Sequence, residues 1–320
     1  MNYSAEYERW LQNTEGDVLE ELKIMDESRI EDAFYCDLAF GTGGLRGIIG
    51  AGTNRMNVYV VKKASQGLAD YLGAGASVVI GYDSRIKSDV FARAAAGVFA
   101  ANGITVHIWP ELLPVPTVSY AIRALRCSAG VMVTASHNPS QYNGYKVYGS
   151  DGCQITTSTA AAILARIREI DIFSDIQEVN FEAGVQSGKI RYIDPSVLTA
   201  FIEEVKGQSV LFGDEINRGV AIVYSPLNGT GLVPVTRVLA ESGFANVTVV
   251  EEQRDPNGRF PTCPYPNPEI WEAMELGLRY CEKTGADLLL ATDPDCDRCG
   301  IAVKTAAGDY QLLSGNEVGL

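Results

Sequence analysis

The chain has 320 residues, room for about two domains. Its 46% hydrophobic and 21% charged residues are the balance of a globular chain that buries sizeable cores, which excludes disorder as the starting expectation. Lys and Arg total 26 against 40 Asp and Glu, and the formal net charge of -14 repels nucleic-acid phosphates and anionic lipid, so neither nucleic acid nor a membrane is an expected partner. A small anion remains compatible with this charge where a few Arg or Lys are gathered locally. The start, MNYSAEYERWLQ, has no basic region followed by an apolar one, and no apolar run reaches the ~20 residues of a membrane span. A cytoplasmic protein is expected, with its seven cysteines reduced.

In chain order, residues 5 to 25 (AEYERWLQNTEGDVLEELKIM) have a helical period interrupted near Gly16. Trp10, Leu11, Leu19 and Leu22 form an apolar stripe, so residues 1–39 are expected to be a helical extension packed on the next part of the chain. Helix and strand then alternate. VYVVKKASQGLADYL reads as a helix, SVVIGYDSR as a strand and loop, and SDVFARAAAGVFAANG as a helix with Ser88 or Asp89 at its N-cap and Gly103 past its end. Strand ITVHIW, a helix opened by Pro116 and the apolar run Gly130 to Ala135 come next. Helix TTSTAAAILARIREI, strand KIRYID and helix PSVLTAFIEEV complete a unit over residues 40–205.

A second unit, residues 206–310, opens with GVAIVYSPLNGTG, a strand breaking into a turn, and continues through helix LVPVTRVLAESG and strand NVTVV. The Pro-rich FPTCPYPNPE, helix IWEAMELGLRYCEKTG and strand ADLLLATD complete it. The βαβα order predicts an α/β fold of consecutive α/β/α sandwich domains with mainly parallel mixed sheets. At QLLSGNEVGL a helix begins without a stop signal, so residues 311–320 are expected to open a further, truncated unit.

In open α/β sheets ligands bind beyond the carboxyl ends of strands. The run 130–135 ends directly in Ser136, His137 and Asn138, with the polar NGYK and its Lys146 close behind. A serine hydroxyl is a weak nucleophile at neutral pH and needs a base, a metal or prior modification. The serine-hydrolase turn G-x-S-x-G is absent, because Thr134 and Asn138 stand where its glycines would be. Alone, S-H-N-P reads as a turn in which Ser136 and Asn138 cap the chain before Pro139.

In LLLATDPDCDR, Asp293, Asp295 and Asp297 alternate after a buried strand and can aim carboxylate oxygens at one hard cation such as Mg²⁺. An EF-hand fails, since Arg298 takes its glycine position and Lys304 its bidentate Glu position. A haloacid-dehalogenase-type phosphatase with Asp293 as nucleophile stays open, although Asp297 replaces its usual Thr or Val. Cys296 and Cys299 have CxxC spacing without the second pair or histidines that a zinc site needs. FGTGGLRG surrounds Arg46 with glycines, and a guanidinium suits a phosphate, but alone the stretch reads as a plain turn. Asp83 and Arg85 in GYDSR are expected to tie down a loop. His107, in a strand beside Thr105 and Trp109, is expected to pack or hydrogen-bond, which makes His137, next to Ser136, the better catalytic candidate.

TASHNPSQYNGYK and DPDCDR, in this order and on successive α/β units, resemble the phosphoglucomutase and phosphomannomutase family, the α-D-phosphohexomutases. The helical extension, FGTGGLRG, NRMN (Asn54 to Asn57) and PNPE (Pro266 to Glu269) are similar to its longer branch, which includes phosphoglucomutases and phosphopentomutases. The resemblance spans essentially the whole chain and makes residues 40–205 domain I, with the phosphoserine loop, and 206–310 domain II, with the metal loop. It implies that Ser136 carries a phosphoryl group and that Mg²⁺ is held by that phosphoserine with Asp293, Asp295 and Asp297. Arg46, Lys146 and Arg298 are implied to line the cleft and bind phosphate or assist proton transfer, and His137 to orient the loop or share acid/base work.

The implied reaction interconverts a hexose 1-phosphate and 6-phosphate, glucose first, through a bound glucose 1,6-bisphosphate that also primes Ser136. The phosphosugar is then the small-molecule partner, while oligomeric state is not legible. Pro294 and Cys296 stand where the family's metal loop usually has glycine, and Cys296 is expected to make the loop sensitive to oxidation. The resemblance also implies that the residues that would choose glucose, mannose or pentose fall in a third domain and a distal phosphate clamp in a fourth, both expected beyond residue 320. Phosphopentomutase, phosphomannomutase, an Asp-nucleophile phosphatase and a non-catalytic truncated paralogue that binds phosphosugar are the alternative readings.

Overall fold

Three short helices, Tyr3–Asn13, Gly16–Lys23 and Glu27–Phe34, precede the first sheet in the computed structural model, which describes residues 2–210 and 216–319. The first and third helices start where Asn2 and Asp26 accept the amide hydrogens of Ala5 and Arg29. Trp10 is fully buried, edge-on to Phe34, Tyr59 and Phe173 with ring centroids 5.5, 5.6 and 5.6 Å away. Those partners lie on the helical extension and on the unit beneath it. Truncating such a tryptophan costs about 3–5 kcal/mol, so the extension is fastened to the first unit by its apolar stripe.

The first sheet has seven strands: β1 (Phe40–Gly41), β2 (Gly44–Ile48), β3 (Ser77–Tyr82), β4 (Thr105–Ile108), β5 (Ala129–Val133), β6 (Tyr142–Gly149) and β7 (Ile190–Tyr192). They lie in the order β1-β2-β6-β5-β3-β4-β7. The β-branched runs separated by helices pair in parallel (β5, β3, β4, β7), whereas β6, β2 and β1 join antiparallel. Every residue of β5 is buried, as its unbroken apolar run requires of a central strand. The second sheet, in the order β12-β11-β10-β8-β9, contains β8 (Ile222–Ser225), β9 (Val247–Val249), β10 (Leu288–Thr292), β11 (Cys299–Lys304) and β12 (Tyr310–Leu313). Its β9, β8 and β10 are parallel, and β11 and β12 antiparallel. Two α/β units with mixed sheets are therefore present, as expected.

The expected N-cap at Ser88 or Asp89 is corrected. Helix Ser88–Ala101 begins after Lys87, which takes left-handed backbone (φ +63°) with no side-chain cap. Ser88 Oγ instead donates to Asp83 Oδ1 at 2.7 Å, where a fully buried carboxylate needs donors more than an exposed helix end does. Helix Pro195–Gly207 packs against both helix Val115–Ala124 of the first unit and helix Leu232–Glu241 of the second. Among the described residues, no helix is long and apolar enough to cross a membrane.

Candidate active site

The carboxyl ends of β3 and β5 in one unit meet that of β10 in the other, and the polar clusters come together there. Ser136 follows β5 in left-handed backbone, φ +52°, a conformation that costs a residue with a Cβ about 1–3 kcal/mol. Its amide donates to Thr134 Oγ1 (2.9 Å) and its hydroxyl to Asp293 Oδ2 (2.8 Å), with His137 Nδ1 3.2 Å away. Only 3% of Ser136 is exposed, so the hydroxyl is aimed into the seam between the units and not at bulk water.

What holds the turn is Arg85, at the end of the neighbouring strand β3. Its Nη1 donates to the carbonyls of Pro139 (2.9 Å) and Tyr142 (3.0 Å), and Nη2 to those of Ser136 (2.5 Å) and Asn138. Asp83 Oδ2 lies 3.4 Å from Arg85 Nε and accepts from Thr134 at 2.6 Å. Burial pushes the Asp83 carboxyl above its ordinary value, against the pull of Arg85. Asp83 and Arg85 thus tie down a loop, as the sequence suggests, and that loop is the one carrying Ser136.

The acidic turn after β10 is equally enclosed on one side. Asp293 and Asp295 are fully buried, and the amides of Asp297 and Arg298 donate to Asp293 Oδ1 at 3.1 and 3.0 Å. Lys146, on β6, reaches across to Asp295 Oδ2 (2.9 Å) and Asp297 Oδ2 (3.2 Å). Burial opposes the Lys146 charge, but the two carboxylates outweigh it and hold the ammonium above its ordinary value. Among the described residues, no cation forms an ion pair with Asp293. Burial first and the neighbouring Asp295 second push it up to about 9. Asp295 is held below the ordinary carboxylate range because Lys146 and its hydrogen bonds overcome its burial.

Asp293, Asp295 and Asp297 each offer an oxygen within 4.8 Å of the others, the arrangement a metal ion can bridge. Asp295 Oδ1 is buried with no hydrogen-bond partner, as expected of an oxygen whose partner is an ion. The turn is pinned from its own unit as well, since Pro294 O accepts from the amide (2.9 Å) and hydroxyl (3.0 Å) of Thr230. Across the seam, the Val115 amide donates to Asp295 O at 2.9 Å.

Arg46 and Arg298 lie at the solvent side. Arg46 sits on β2 in register with Gly144 of β6, and among the described residues its side chain has no hydrogen bond or ion pair. It reaches β6 because Gly44 turns the β1–β2 hairpin with φ +74°, where a Cβ would stand 1.8 Å from Tyr145 O. Arg298 pairs with the exposed Glu269 at 3.2 Å. Burial, then the charges of Arg298 and Arg46, lower the His137 pKa and so favour its neutral ring. His107, on β4, is likewise lowered, by burial and Arg191.

The seven cysteines are free thiols. Burial pushes the Cys296 thiol up to about 12, against the thiolate form that oxidation requires. Sequence reasoning missed Thr134, Arg85 in its reach to Ser136, and Thr230. Their shared signal is position, since each stands at or just past the carboxyl end of a strand.

Fold and site together define a class: paired α/β/α units whose shared edge sets a serine hydroxyl against three alternating carboxylates. Residues 37–172 match the family description "phosphoglucomutase/phosphomannomutase, alpha/beta/alpha domain I" and residues 199–308 the corresponding domain II. The chain belongs to the phosphoglucomutase/phosphomannomutase family. It is 37% identical to a phosphoglucomutase of Staphylococcus saprophyticus, over 97% of this chain and 56% of the relative. It is also 37% identical to a phosphoribomutase of Saccharomyces cerevisiae, over 93% of this chain and 51% of the relative. A crystal structure of a candidate phosphomannomutase from Thermus thermophilus superposes with a TM-score of 0.70 at 27% identity, covering 86% of this chain and 58% of that one. The chain spans about half the length of the curated relatives it matches.

Proposed function

We propose that these residues form the phosphoryl-transferring part of a cytoplasmic phosphosugar mutase, with residues 40–205 as the unit that carries Ser136 and 206–310 as the unit that holds the metal. The observation that carries this reading is the Ser136 hydroxyl held 2.8 Å from Asp293 within reach of the acidic triad, the two coming from different units. Mg²⁺ fits the donor set of three hard oxygens, and when bound it would neutralise charge on a transferring phosphoryl group. Asp293, Asp295 and Asp297 would hold it together with an oxygen of the Ser136 phosphate.

In the forward half-reaction the phosphorus–oxygen bond to Ser136 breaks as one forms to a sugar hydroxyl. The hydroxyl proton passes to a base, and the neutral His137 is placed to serve. Lys146, kept protonated by its carboxylates, supplies a cation beside the triad, and His137, whose Nδ1 lies 3.2 Å from Ser136 Oγ, returns the proton it gains to the departing Ser136 oxygen. Arg46 and Arg298 face solvent, where a phosphosugar would arrive, and their forked guanidinium groups suit its phosphate. The same chemistry run from glucose 1,6-bisphosphate primes Ser136. Hexose 1-phosphate and 6-phosphate, glucose first, are the proposed substrates. A pentose phosphate is the second reading, because the yeast phosphoribomutase is as similar to this chain as the staphylococcal phosphoglucomutase.

Variants tested on phosphoryl transfer from glucose 1,6-bisphosphate in Mg²⁺ decide between this reading and an aspartyl phosphatase. Ser136→Ala and Asp293→Asn should each abolish release of glucose monophosphate. Continued release of inorganic phosphate by Ser136→Ala, with loss in Asp293→Asn, would instead make Asp293 the nucleophile.

A further inference from the structure

Arg85 is nearly fully buried and, besides bonding the four carbonyls of the Ser136 loop, packs on a side chain of the second unit: the guanidinium carbon lies 5.0 Å from the centre of the Phe260 ring. Phe260 is 1% exposed and takes left-handed backbone, φ +47°, which a β-carbon resists unless the surroundings enforce it. The enforcement is visible. Phe260 N donates to Asn257 O (3.1 Å), Asn257 N to Asn228 O (2.9 Å), and the Asn228 side chain to Asp255 O (2.8 Å).

Gly258 lets this segment lie against residues 84–86 of the first unit, since a Cβ there would stand 2.5 Å from Ile86 N and 2.6 Å from Ser84 O. Two residues beyond Asn228, Thr230 grips Pro294 of the acidic turn. Of the non-glycine residues in left-handed backbone, Ser136, Leu227, Asn228, Phe260 and Cys296 all belong to loops joined by this chain of contacts. Strain gathered in one connected set of loops marks a geometry held for use.

We propose that Phe260 and Arg85 form a positioning strut through which the second unit sets the conformation of the Ser136 turn. A cation over an aromatic face is attracted most strongly where water is excluded, as at this seam. The ring fixes the plane of the guanidinium, and the plane fixes which carbonyls its fork can reach. The acidic turn and the Ser136 turn are thereby linked directly, by Ser136 to Asp293 and Thr134 to Asp295 (3.1 Å), and indirectly through Thr230, Asn228, Phe260 and Arg85. A serine that must meet a metal site on another unit gains its aim from both connections. The strut's role in catalysis rests on the proposed phosphoryl transfer, but its role in ordering the turn does not.

Two readouts therefore separate the two claims. The first is hydrogen–deuterium exchange of the Asn138 and Tyr142 amides, which bond to Ala135 O and Pro139 O inside the turn. Phe260→Leu, which keeps apolar volume and removes the ring face, should speed their exchange at least about tenfold while β3 and β8 amides are unchanged. The second is the rate of Ser136 phosphorylation by glucose 1,6-bisphosphate. Phe260→Leu should lower its maximum about tenfold with the half-saturating sugar concentration held within about twofold.

Arg85→Lys, which keeps the charge and loses the fork, should be slower still, and adding Phe260→Leu to it should change little, since one residue acts through the other. Unchanged exchange in the turn for Phe260→Leu overturns the strut, as does a double variant whose losses multiply. If Arg85→Lys fails to fold, the exchange result for Phe260→Leu decides alone. A wild-type chain that never labels overturns the mutase reading, and the exchange result still judges the strut.

Discussion

On one side of the site, Ser136, Lys146, Asp293 and Asp295 are at most 6% exposed and bond to one another or to backbone fixed by Arg85 and Thr230. On the other side, Arg46 stands on a Gly-rich hairpin without a partner among the described residues, and Arg298 shares only a solvent-exposed pair with Glu269. The buried side is set before any ligand arrives, which suits charge stabilisation during transfer. The exposed side is anchored at the backbone and free at the side chain, which suits capture of a mobile anion. Under the proposed function, phosphoryl transfer and ligand capture are thus built to different tolerances within one site.

The largest expected effect breaks the buried side. Asp295→Asn leaves the Lys146 ammonium buried with only the partly exposed Asp297 beside it, and should cost about 3–5 kcal/mol of stability in denaturant unfolding. Mg²⁺ binding by calorimetry should weaken beyond detection in the same variant. Wild-type stability and Mg²⁺ affinity would show that the buried charges are independent of one another.

Next in size is the pH dependence of Mg²⁺ affinity. A cation must displace the proton from Asp293, whose pKa burial and Asp295 push up to about 9. Affinity should therefore rise by about tenfold per pH unit from pH 6 and level off near pH 9, with about one proton released per ion. The sign for stability is set by a folded pKa raised above the unfolded one. Asp293 stabilises the metal-free fold fully below its ordinary value of 3.8 and loses that contribution as pH rises towards about 9. The gain in Tm on adding Mg²⁺ should accordingly be greatest at alkaline pH, and a flat Tm difference between pH 6 and 9 would contradict it.

The smallest effect on the fold comes from the exposed side. Arg46→Ala and Arg298→Ala should change unfolding free energy by no more than about 0.5 kcal/mol and leave Mg²⁺ affinity unaltered. Each should raise the half-saturating phosphosugar concentration about tenfold, read from the rate of Ser136 labelling. A loss of stability as large as that of Asp295→Asn would erase the contrast between the two sides.

Much of the buried side was legible in the sequence because its signals are local. A serine directly after an apolar run and three Asp in alternation keep their meaning whatever surrounds them. The parallel strands were legible for the same reason, being β-branched runs between helical periods. β6 was not, because YNGYKVYG mixes glycine, polar and aromatic residues and is a strand only through pairing with β5 and β2. The hairpin carrying Arg46 looked like a plain turn, since its edge is completed by β6, about a hundred residues away in sequence. Arg85 was read as tying down a loop, but which loop could not be seen: its partners are backbone carbonyls beyond residue 135, and carbonyls carry no sequence signature. The missed N-cap has the same origin, a hydroxyl taken by a buried carboxylate that only tertiary packing brings near.

The most direct test of the central claim is mass spectrometry of the intact protein and its peptides after incubation with Mg²⁺ and glucose 1,6-bisphosphate. The account predicts one added phosphate on the peptide containing Ser136, absent in Ser136→Ala and absent without Mg²⁺. A phosphate on any other residue, or a Ser136 that stays unmodified, would contradict it.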